Sequence, residues 1–222
     1  MINVKSLLNT LYYKWNTYVF YIPCKRENTE DSVIIIKNII SLKLRIKSFT
    51  LEKYEKSLGR IIKQENISEI KKLILFAHPN NAKSSFLVSS NRIHEDKSLL
   101  PDWWQNEKTK EIKIVFANVC FGATILKRKM WSTIFPNWIS YKNHLTLYVG
   151  SSKSRTIWRE VYNKIIDKII EMNDVLAIKH MFYSIYNEKI ANIYENYDPQ
   201  KGDSLTMMYL VKSKKLLTTS ES

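Results

Sequence analysis

A chain of 222 residues is long enough for one α/β domain with its own core. A hydrophobic share of 45% excludes wholesale disorder, and no stretch reaches the roughly 18 uninterrupted apolar residues of a membrane-spanning helix. The net charge of +14 favours an anionic partner such as nucleic acid, acidic lipid or an acidic protein. The lysines are dispersed along the chain, however, so we favour the simpler explanation that they coat the surface.

The number and spacing of the cysteines and histidines argue against a disulfide scaffold and against a metal scaffold. Only Cys24 and Cys120 are present, which excludes a disulfide-rich secreted fold. No cluster of cysteines and histidines has the spacing of zinc ligands, so we expect neither a metal nor another cofactor. The apolar segment at 7–24 lacks the basic beginning and the small-residue cleavage site of a signal peptide. We therefore expect a cytoplasmic protein.

The first part of the chain is rich in aromatic residues. Between residues 2 and 22, apolar residues recur at helical spacing, namely Val4, Leu7, Leu8 and Leu11. This pattern predicts a helix that packs its aromatic side chains on the domain. The polar stretch 24–31 predicts a loop.

The rest of the chain alternates strand and helix patterns. Short apolar runs predict strands, and longer runs with apolar residues at every third or fourth position predict helices. In chain order the predicted elements are strands at 33–36 and 42–46, a helix at 51–65, a strand at 72–77, a short hairpin at 86–93, a strand at 113–119, a helix at 123–134, a strand at 144–149, helices at 156–172 and 174–192, a polar loop at 196–204 and a strand at 205–211. This order predicts one α/β domain with a mainly parallel sheet.

We divide the chain into three parts. An aromatic-rich segment at 1–30 packs on the α/β domain at 31–212, and a flexible tail occupies 213–222. The sequence shows no internal repeat and no low-complexity linker.

Two of the predicted strands end in a chemically reactive side chain. The run 73–77 is followed by His78, and the run 114–119 is followed by Cys120. Active sites of open α/β sheets lie at the carboxyl ends of the strands, so neighbouring parallel strands would bring this imidazole and this thiol together. A thiol is weakly nucleophilic at neutral pH until a neighbouring imidazole takes its proton. We predict that Cys120 attacks a carbonyl carbon while His78 carries the proton to the leaving amine.

A simpler interpretation stands beside this one. A cysteine after an apolar strand is commonly a buried small hydrophobic residue, and a histidine there often bonds only to its neighbours. Each residue alone fits that interpretation, whereas the two together, each at a strand end, favour a catalytic pair. The small residues Gly122 and Ala123 would leave room for a substrate backbone, and the start of a helix behind the cysteine would favour its thiolate.

These residues resemble a known family. The strand that ends in His78, followed after a loop by the stretch Asn118-Val-Cys-Phe-Gly-Ala123, is similar to the caspase-like clan of cysteine peptidases, and most similar to its bacterial CHAT type. The later elements at 144–172 also resemble the next strand, specificity loop and helix of the family. The resemblance covers residues 33–192 and implies a caspase-like three-layer α/β fold, with a mainly parallel central sheet flanked by helices.

The resemblance implies further site residues, with one departure from the family pattern. Family members carry a glycine after the histidine, and its N–H helps to bind the oxyanion. Here Pro79 has no N–H, and losing one such donor typically costs about 10²–10³ in rate. A replacement donor would come from Asn80 or Asn81; otherwise the protein is a weakened or inactive peptidase.

The family resemblance also has an implication for the substrate pocket. If the loop at 150–155 lines the pocket for the residue before the cleaved bond, Lys153 or Arg155 would favour an acidic residue there. We favour the alternative that both are solvated loop charges. Asp102 is the loop acid that would give the opposite preference.

The family resemblance also implies a biological role. Family members are bacterial intracellular endopeptidases that cleave proteins, and they are held inactive until a partner releases them in anti-phage defence or programmed cell death. No sensor pattern is recognisable here, so regulation would come from a partner protein, from proteolysis or from self-assembly. One alternative is a non-catalytic interaction protein of the same fold, which Pro79 supports. Another is a basic nucleic-acid-binding protein, although no helix-turn-helix, RRM or zinc signature supports it.

Overall fold

A computed structural model describes residues 17–21, 71–76, 83, 87–89, 97–98, 112–145, 147 and 150–221. The strands are β1 (Thr17–Tyr21), β2 (Lys72–Phe76), β3 (Leu87–Ser89), β4 (Lys97–Ser98), β5 (Ile114–Asn118), β6 (Trp138–Tyr141) and β7 (Leu217–Thr219). The helices are α1 (Gly122–Leu126), α2 (Lys129–Ile134), α3 (Ser152–Glu171), α4 (Val175–Glu195) and α5 (Asp203–Leu216), with a 3-10 helix at Pro199–Lys201.

One five-stranded sheet organises these elements. Its strand order is β1-β2-β5-β6-β7. Neighbours among the first four strands run parallel, and β7 pairs antiparallel with β6. The strands β3 and β4 form a separate antiparallel pair. The prediction of an α/β fold with a mainly parallel sheet is therefore confirmed.

The alternation of side chains along the strands defines two buried faces. One face packs against the apolar sides of α3 and α4, and its strand residues are Ile74, Phe76, Ile114, Phe116, Ile139 and Tyr141. The intervening strand residues Leu73, Leu75, Val115 and Trp138 are also buried but point to the opposite face. On that face lie α1 and α2, which connect β5 to β6 and bury Ile125, Leu126 and Trp131. Helices therefore flank the sheet on both sides.

A buried lysine ties α3 to the sheet. The ammonium of Lys72, at the start of β2, donates hydrogen bonds to the carbonyl oxygens of Ile169 (2.6 Å), Ile170 (2.8 Å) and Met172 (2.6 Å). Carbonyls at the end of a helix have no partner within the helix, and the lysine supplies one. Since α3 ends where β2 begins, it runs antiparallel to β2 and begins at the carboxyl edge of the sheet.

Several predicted elements are confirmed with small changes of boundary. These are the strands predicted at 72–77 and 113–119 and the helices predicted at 156–172 and 174–192. The helical stretch predicted at 123–134 is divided into α1 and α2. The hairpin predicted at 86–93 is formed instead by β3 and the later β4. The elements predicted at 33–36, 42–46 and 51–65 lie outside the described residues.

The predicted N-terminal helix is wrong for the residues that the structure describes there. Residues 17–21 form β1, which pairs in parallel register with β2 at one end of the described sheet. Their sequence, Thr-Tyr-Val-Phe-Tyr, combines β-branched and aromatic residues, which favour a strand. The helical spacing was read from residues further toward the N-terminus, and these lie outside the described part.

The strand predicted at 144–149 is also wrong for the residues that the structure describes in this range. The strand beside β5 is β6, at 138–141, and the described residues His144, Leu145 and Leu147 belong to no strand. Pro136 and Asn137 lie between α2 and β6. They are the turn that leads directly into β6, whose four residues are all buried.

Two expectations near the C-terminus are wrong as well. Residues 205–211 form part of α5, not a strand, and the predicted flexible tail at 213–222 contains the end of α5 and the strand β7. The buried positions of α5 include Thr206, Leu210 and Ser213, which have helical spacing. Because two of these three residues are polar, an apolar pattern did not reveal the helix.

Candidate functional site

Cys120 lies just beyond the carboxyl end of β5, in a tight turn that leads into α1. The next residue, Phe121, has φ 55 and ψ 18, the left-handed conformation that non-glycine residues rarely adopt. Gly122 donates its N–H to the carbonyl oxygen of Val119 at 3.1 Å, which closes the turn. Cys120 is partly exposed at this turn. Since α1 has only five residues, its dipole adds little to the stabilisation of a thiolate.

The backbone of Leu145 makes two hydrogen bonds with the Cys120 thiol. The sulfur accepts from the N–H of Leu145 at 3.2 Å and donates to its carbonyl oxygen at 3.3 Å. In the same segment, the N–H of Phe121 donates to the carbonyl oxygen of Asn143 at 3.1 Å. Residues 143–145 thus follow β6 and run beside Cys120. The segment predicted as a strand therefore positions the thiol.

A buried polar pair involves Asn118, two residues before Cys120. The hydroxyl of Tyr162, on α3, donates to Oδ1 of Asn118 at 3.1 Å. Asn118 is the last residue of β5, and it has only 8% of its surface exposed. Cys120 follows Asn118 by two residues, in the turn at the end of β5.

Two more buried phenols extend this cluster. The hydroxyls of Tyr141 and Tyr186 lie 2.9 Å apart and share a hydrogen bond. Burial raises the pKa of Tyr141, Tyr162 and Tyr186 well above that of an exposed tyrosine. For Tyr162, the neighbouring Tyr186 and Cys120 add to this rise of the pKa. All three phenols therefore stay protonated at neutral pH.

A cation lies against the turn from a different part of the chain. The ammonium of Lys83 sits 4.0 Å from the centroid of the Phe121 ring, within the range of a cation–π interaction. Lys83 also has a positive φ, 51 degrees, and among the described residues it shares this property only with Phe121 and Gly202. Strained backbone conformations tend to gather at functional sites.

The small size of Gly122 serves packing within the protein. A Cβ atom at this position would overlap Oγ of Ser140, in β6. Ser140 is fully buried, and its hydroxyl donates to the carbonyl oxygen of Ala117 at 2.6 Å. We expected Gly122 to leave room for a substrate backbone, whereas its hydrogen atom faces the neighbouring strand.

Lys153 and Arg155 belong to the first turn of α3 rather than to the predicted loop at 150–155. The ammonium of Lys153 lies 2.5 Å from Oδ2 of the buried Asp203 and 3.1 Å from the carbonyl oxygen of Asn196. The N–H of Asp198 donates to the same Oδ2 at 2.7 Å. Lys153 therefore joins the start of α3 to the start of α5.

The remaining residues predicted for the site lie outside the described part of the chain. They are His78, Pro79, Asn80, Asn81 and Asp102.

Four residues of the site were missed as functional candidates: Lys83, Asn118, Leu145 and Tyr162. The position of Asn118, a polar residue at the end of an apolar run and two residues before Cys120, was a usable signal. Leu145 contributes through its backbone and Lys83 through a loop contact, and neither leaves a pattern in the sequence.

The described residues contain no group of three or more His, Cys, Asp or Glu side chains that could hold a metal ion. Within the same part of the chain, no helix is both long and apolar enough to cross a membrane. Comparison with protein-family models, curated proteins and solved structures found no match.

Proposed function

We propose that the protein is a cysteine endopeptidase of caspase-like type, in which Cys120 is the nucleophile and His78 is the general base and acid. The register between β2 and β5 carries this proposal. Phe76 lies opposite Asn118, and His78 and Cys120 each follow two positions later in the sequence. Because the two parallel strands end side by side, we expect the imidazole and the thiol to meet at the carboxyl edge of the sheet, where α/β enzymes bind their substrates.

The contact between Lys83 and Phe121 supports the same arrangement. The stretch that contains His78 begins at Phe76, beside Asn118, and continues to Lys83, whose ammonium lies against Phe121. Both ends of this stretch are therefore held beside the turn that carries Cys120.

The proposed reaction follows from these two groups. His78 takes the proton of the thiol, and the sulfur forms a bond to the substrate carbonyl carbon while the π electrons of the carbonyl move to its oxygen. When those electrons return, the bond to the amine breaks and His78 gives the amine its proton. Water then attacks the thioester, with His78 as base, which releases the acid and restores the thiol.

The wider role rests on the family resemblance. The substrate is a protein, and control comes from a regulatory protein partner or from self-assembly, in bacterial defence or cell death within the cytoplasm. The aromatic N-terminal segment and the basic surface are the regions at which such a partner would dock.

One observation favours a second candidate, a non-catalytic interaction protein of the same fold. The Cys120 thiol donates to the carbonyl oxygen of Leu145, and a thiolate would lose this bond. Pro79, which has no N–H for an oxyanion, supports the same candidate.

Thiol reactivity distinguishes these candidates. Purified protein is alkylated with iodoacetamide between about pH 5 and pH 9, and the adduct on each cysteine is quantified by mass spectrometry. For a catalytic pair, Cys120 reacts at least tenfold faster than Cys24 near neutral pH, and His78→Ala removes the difference. Slow alkylation of Cys120 that His78→Ala leaves unchanged would refute the peptidase proposal.

Two other histidines provide matched controls. His180 is exposed on α4, and its replacement by alanine should leave the alkylation of Cys120 unchanged. His144 precedes Leu145, whose backbone binds the thiol. If His144→Ala removes the reactivity and His78→Ala does not, the base of the pair is His144 and the assignment of His78 is wrong.

A further inference from the structure

The side chain of Asn118 is bound by the protein on its oxygen side. Its Oδ1 accepts the hydrogen bond from Tyr162, and the described residues offer no acceptor to its amide nitrogen. This nitrogen is also not one of the fully buried atoms that lack a partner. The N–H₂ group therefore keeps access to solvent and to a ligand, although Asn118 as a whole is 8% exposed.

Tyr162 fixes which way this amide points. The tyrosine is fully buried in α3, and it packs edge-on against Phe76 and beside Trp158. Because the phenol is fully buried, its hydroxyl cannot move to a new position if the Asn118 amide rotates by 180 degrees. The Asn118 oxygen is consequently held toward the helix, and the N–H₂ group is available on the other side.

Asn118 is also close to the reacting sulfur. Asn118 is the last residue of β5 and Cys120 follows two residues later in the turn, so their Cα atoms lie at most about 7 Å apart. The Cys120 thiol is near enough to the Tyr162 phenol to contribute to the raised pKa of that phenol. An oxygen on a carbon bonded to the sulfur would therefore form within reach of the Asn118 amide.

We infer that the Asn118 amide is an oxyanion donor at the Cys120 site and that Tyr162 is the residue that positions it. This inference rests on the proposed function and supplies the donor that Pro79 lacks. The ligand is the tetrahedral oxyanion of an acyl group. As the sulfur bonds to the carbonyl carbon, an electron pair moves to oxygen and accepts the Asn118 N–H. The pair returns when the leaving group departs, and the hydrogen bond weakens again.

The test compares two reactions of the same thiol. Acylation of Cys120 by p-nitrophenyl acetate passes through an oxyanion, whereas alkylation by iodoacetamide does not. Both rates are measured on the full chain, with the adduct on Cys120 quantified by mass spectrometry. Asn118→Ala should lower the acylation rate about 10–100-fold and change the alkylation rate by less than about threefold. A parallel loss of both rates, or no loss of acylation, would overturn the inference.

Two tyrosine variants keep the test decisive if Asn118→Ala is poorly folded. Tyr162→Phe removes only the hydroxyl that orients the amide, and it should reproduce a selective loss of acylation. Tyr186→Phe is the matched control, because its hydroxyl bonds to Tyr141 and not to Asn118. Equal effects of the two variants would assign Tyr162 a merely structural role and overturn its part of the inference.

The outcomes for the two proposals are separable. If His78→Ala leaves Cys120 alkylation unchanged while Asn118→Ala still lowers acylation selectively, the oxyanion donor stands and the catalytic pair fails. If the pair is confirmed and acylation does not depend on Asn118, the oxyanion donor fails alone.

Discussion

The ammonium of Lys83 lies 4.0 Å from the ring centroid of Phe121, the residue that follows Cys120. Both residues adopt left-handed backbone conformations, with φ values of 51 and 55 degrees. Single non-glycine residues of this kind cost of order 1–3 kcal/mol each, and the surrounding structure must hold them in place. The contact therefore fixes a positive charge beside the turn that carries the thiol.

This charge predicts that Cys120 reacts preferentially with anionic reagents. The ratio of its alkylation rates with iodoacetate and iodoacetamide measures the local potential, because the two reagents differ mainly in charge. Lys83→Glu should lower this ratio about three- to tenfold at low ionic strength, and the effect should shrink as salt screens the charge. Lys212→Glu makes the same change of net charge at an exposed site on α5. If both variants lower the ratio equally, the local role of Lys83 is wrong.

The packing of Gly122 against Ser140 gives a second prediction. Gly122→Ala places a Cβ atom on the Ser140 hydroxyl, and overpacking of this kind costs roughly 1–3 kcal/mol of unfolding free energy. Ser140→Ala removes the clashing oxygen, along with its hydrogen bond to Ala117. Urea unfolding should therefore show that the double variant is less destabilised than the sum of the two single variants. Additive losses would show that the clash is relieved by another route.

The parts of this fold that the sequence predicted are those with a continuous apolar signal. The strands β2 and β5 are buried on both faces, so each contains a continuous apolar run, at 73–76 and at 114–117. The long helices α3 and α4 repeat apolar residues at helical spacing. Because the reactive residues were read from the ends of β2 and β5, the position of Cys120 at the sheet edge was predictable.

The rest depends on contacts that are not local in sequence. Lys72 reads as a charged residue at the start of a strand, yet it is fully buried because three carbonyls at the end of α3 accept its ammonium. Leu145 was assigned to a strand, but its backbone binds the thiol of Cys120. The helix α5 buries Thr206 and Ser213, two residues whose polarity conceals its amphipathic pattern. Such pairings are visible only once the chain is folded.

The pair formed by Lys153 and Asp203 gives a third prediction. Asp203 is 1% exposed, whereas Lys153 is 31% exposed. Lys153→Met would leave a buried carboxylate without its cation, and removing one partner of such a pair costs roughly 3 kcal/mol. Asp203→Asn in the same chain removes the unpaired charge, so the double variant should recover part of the loss in urea unfolding. A stability equal to that of the unmodified chain for Lys153→Met would show that the ion pair is unimportant.

The burial of Lys72 affects the pKa of its ammonium. Burial lowers the pKa of its ammonium from 10.5 to about 8, and the neighbouring charge of Lys113 adds to this effect. The full shift corresponds to roughly 3 kcal/mol in unfolding free energy. The buried tyrosines have the opposite effect on the unfolding free energy at higher pH. Their raised pKa values keep them protonated in the folded state at a pH at which the unfolded chain has already lost those protons.

These shifts predict an unusual pH profile of stability. Between pH 8 and about 10, the unfolded chain binds a proton at Lys72 that the folded chain lacks, so the free energy of unfolding rises with pH. Above about pH 10 the unfolded tyrosines ionise first, and the free energy falls again. Urea unfolding at a series of pH values measures both the rise and the fall.

Lys72→Met should remove the rise and also destabilise the protein by roughly 1–3 kcal/mol, because the carbonyls at the end of α3 lose their donor. Lys142→Met, at an exposed lysine, should retain the rise, and a rise that persists in Lys72→Met would assign it to another group.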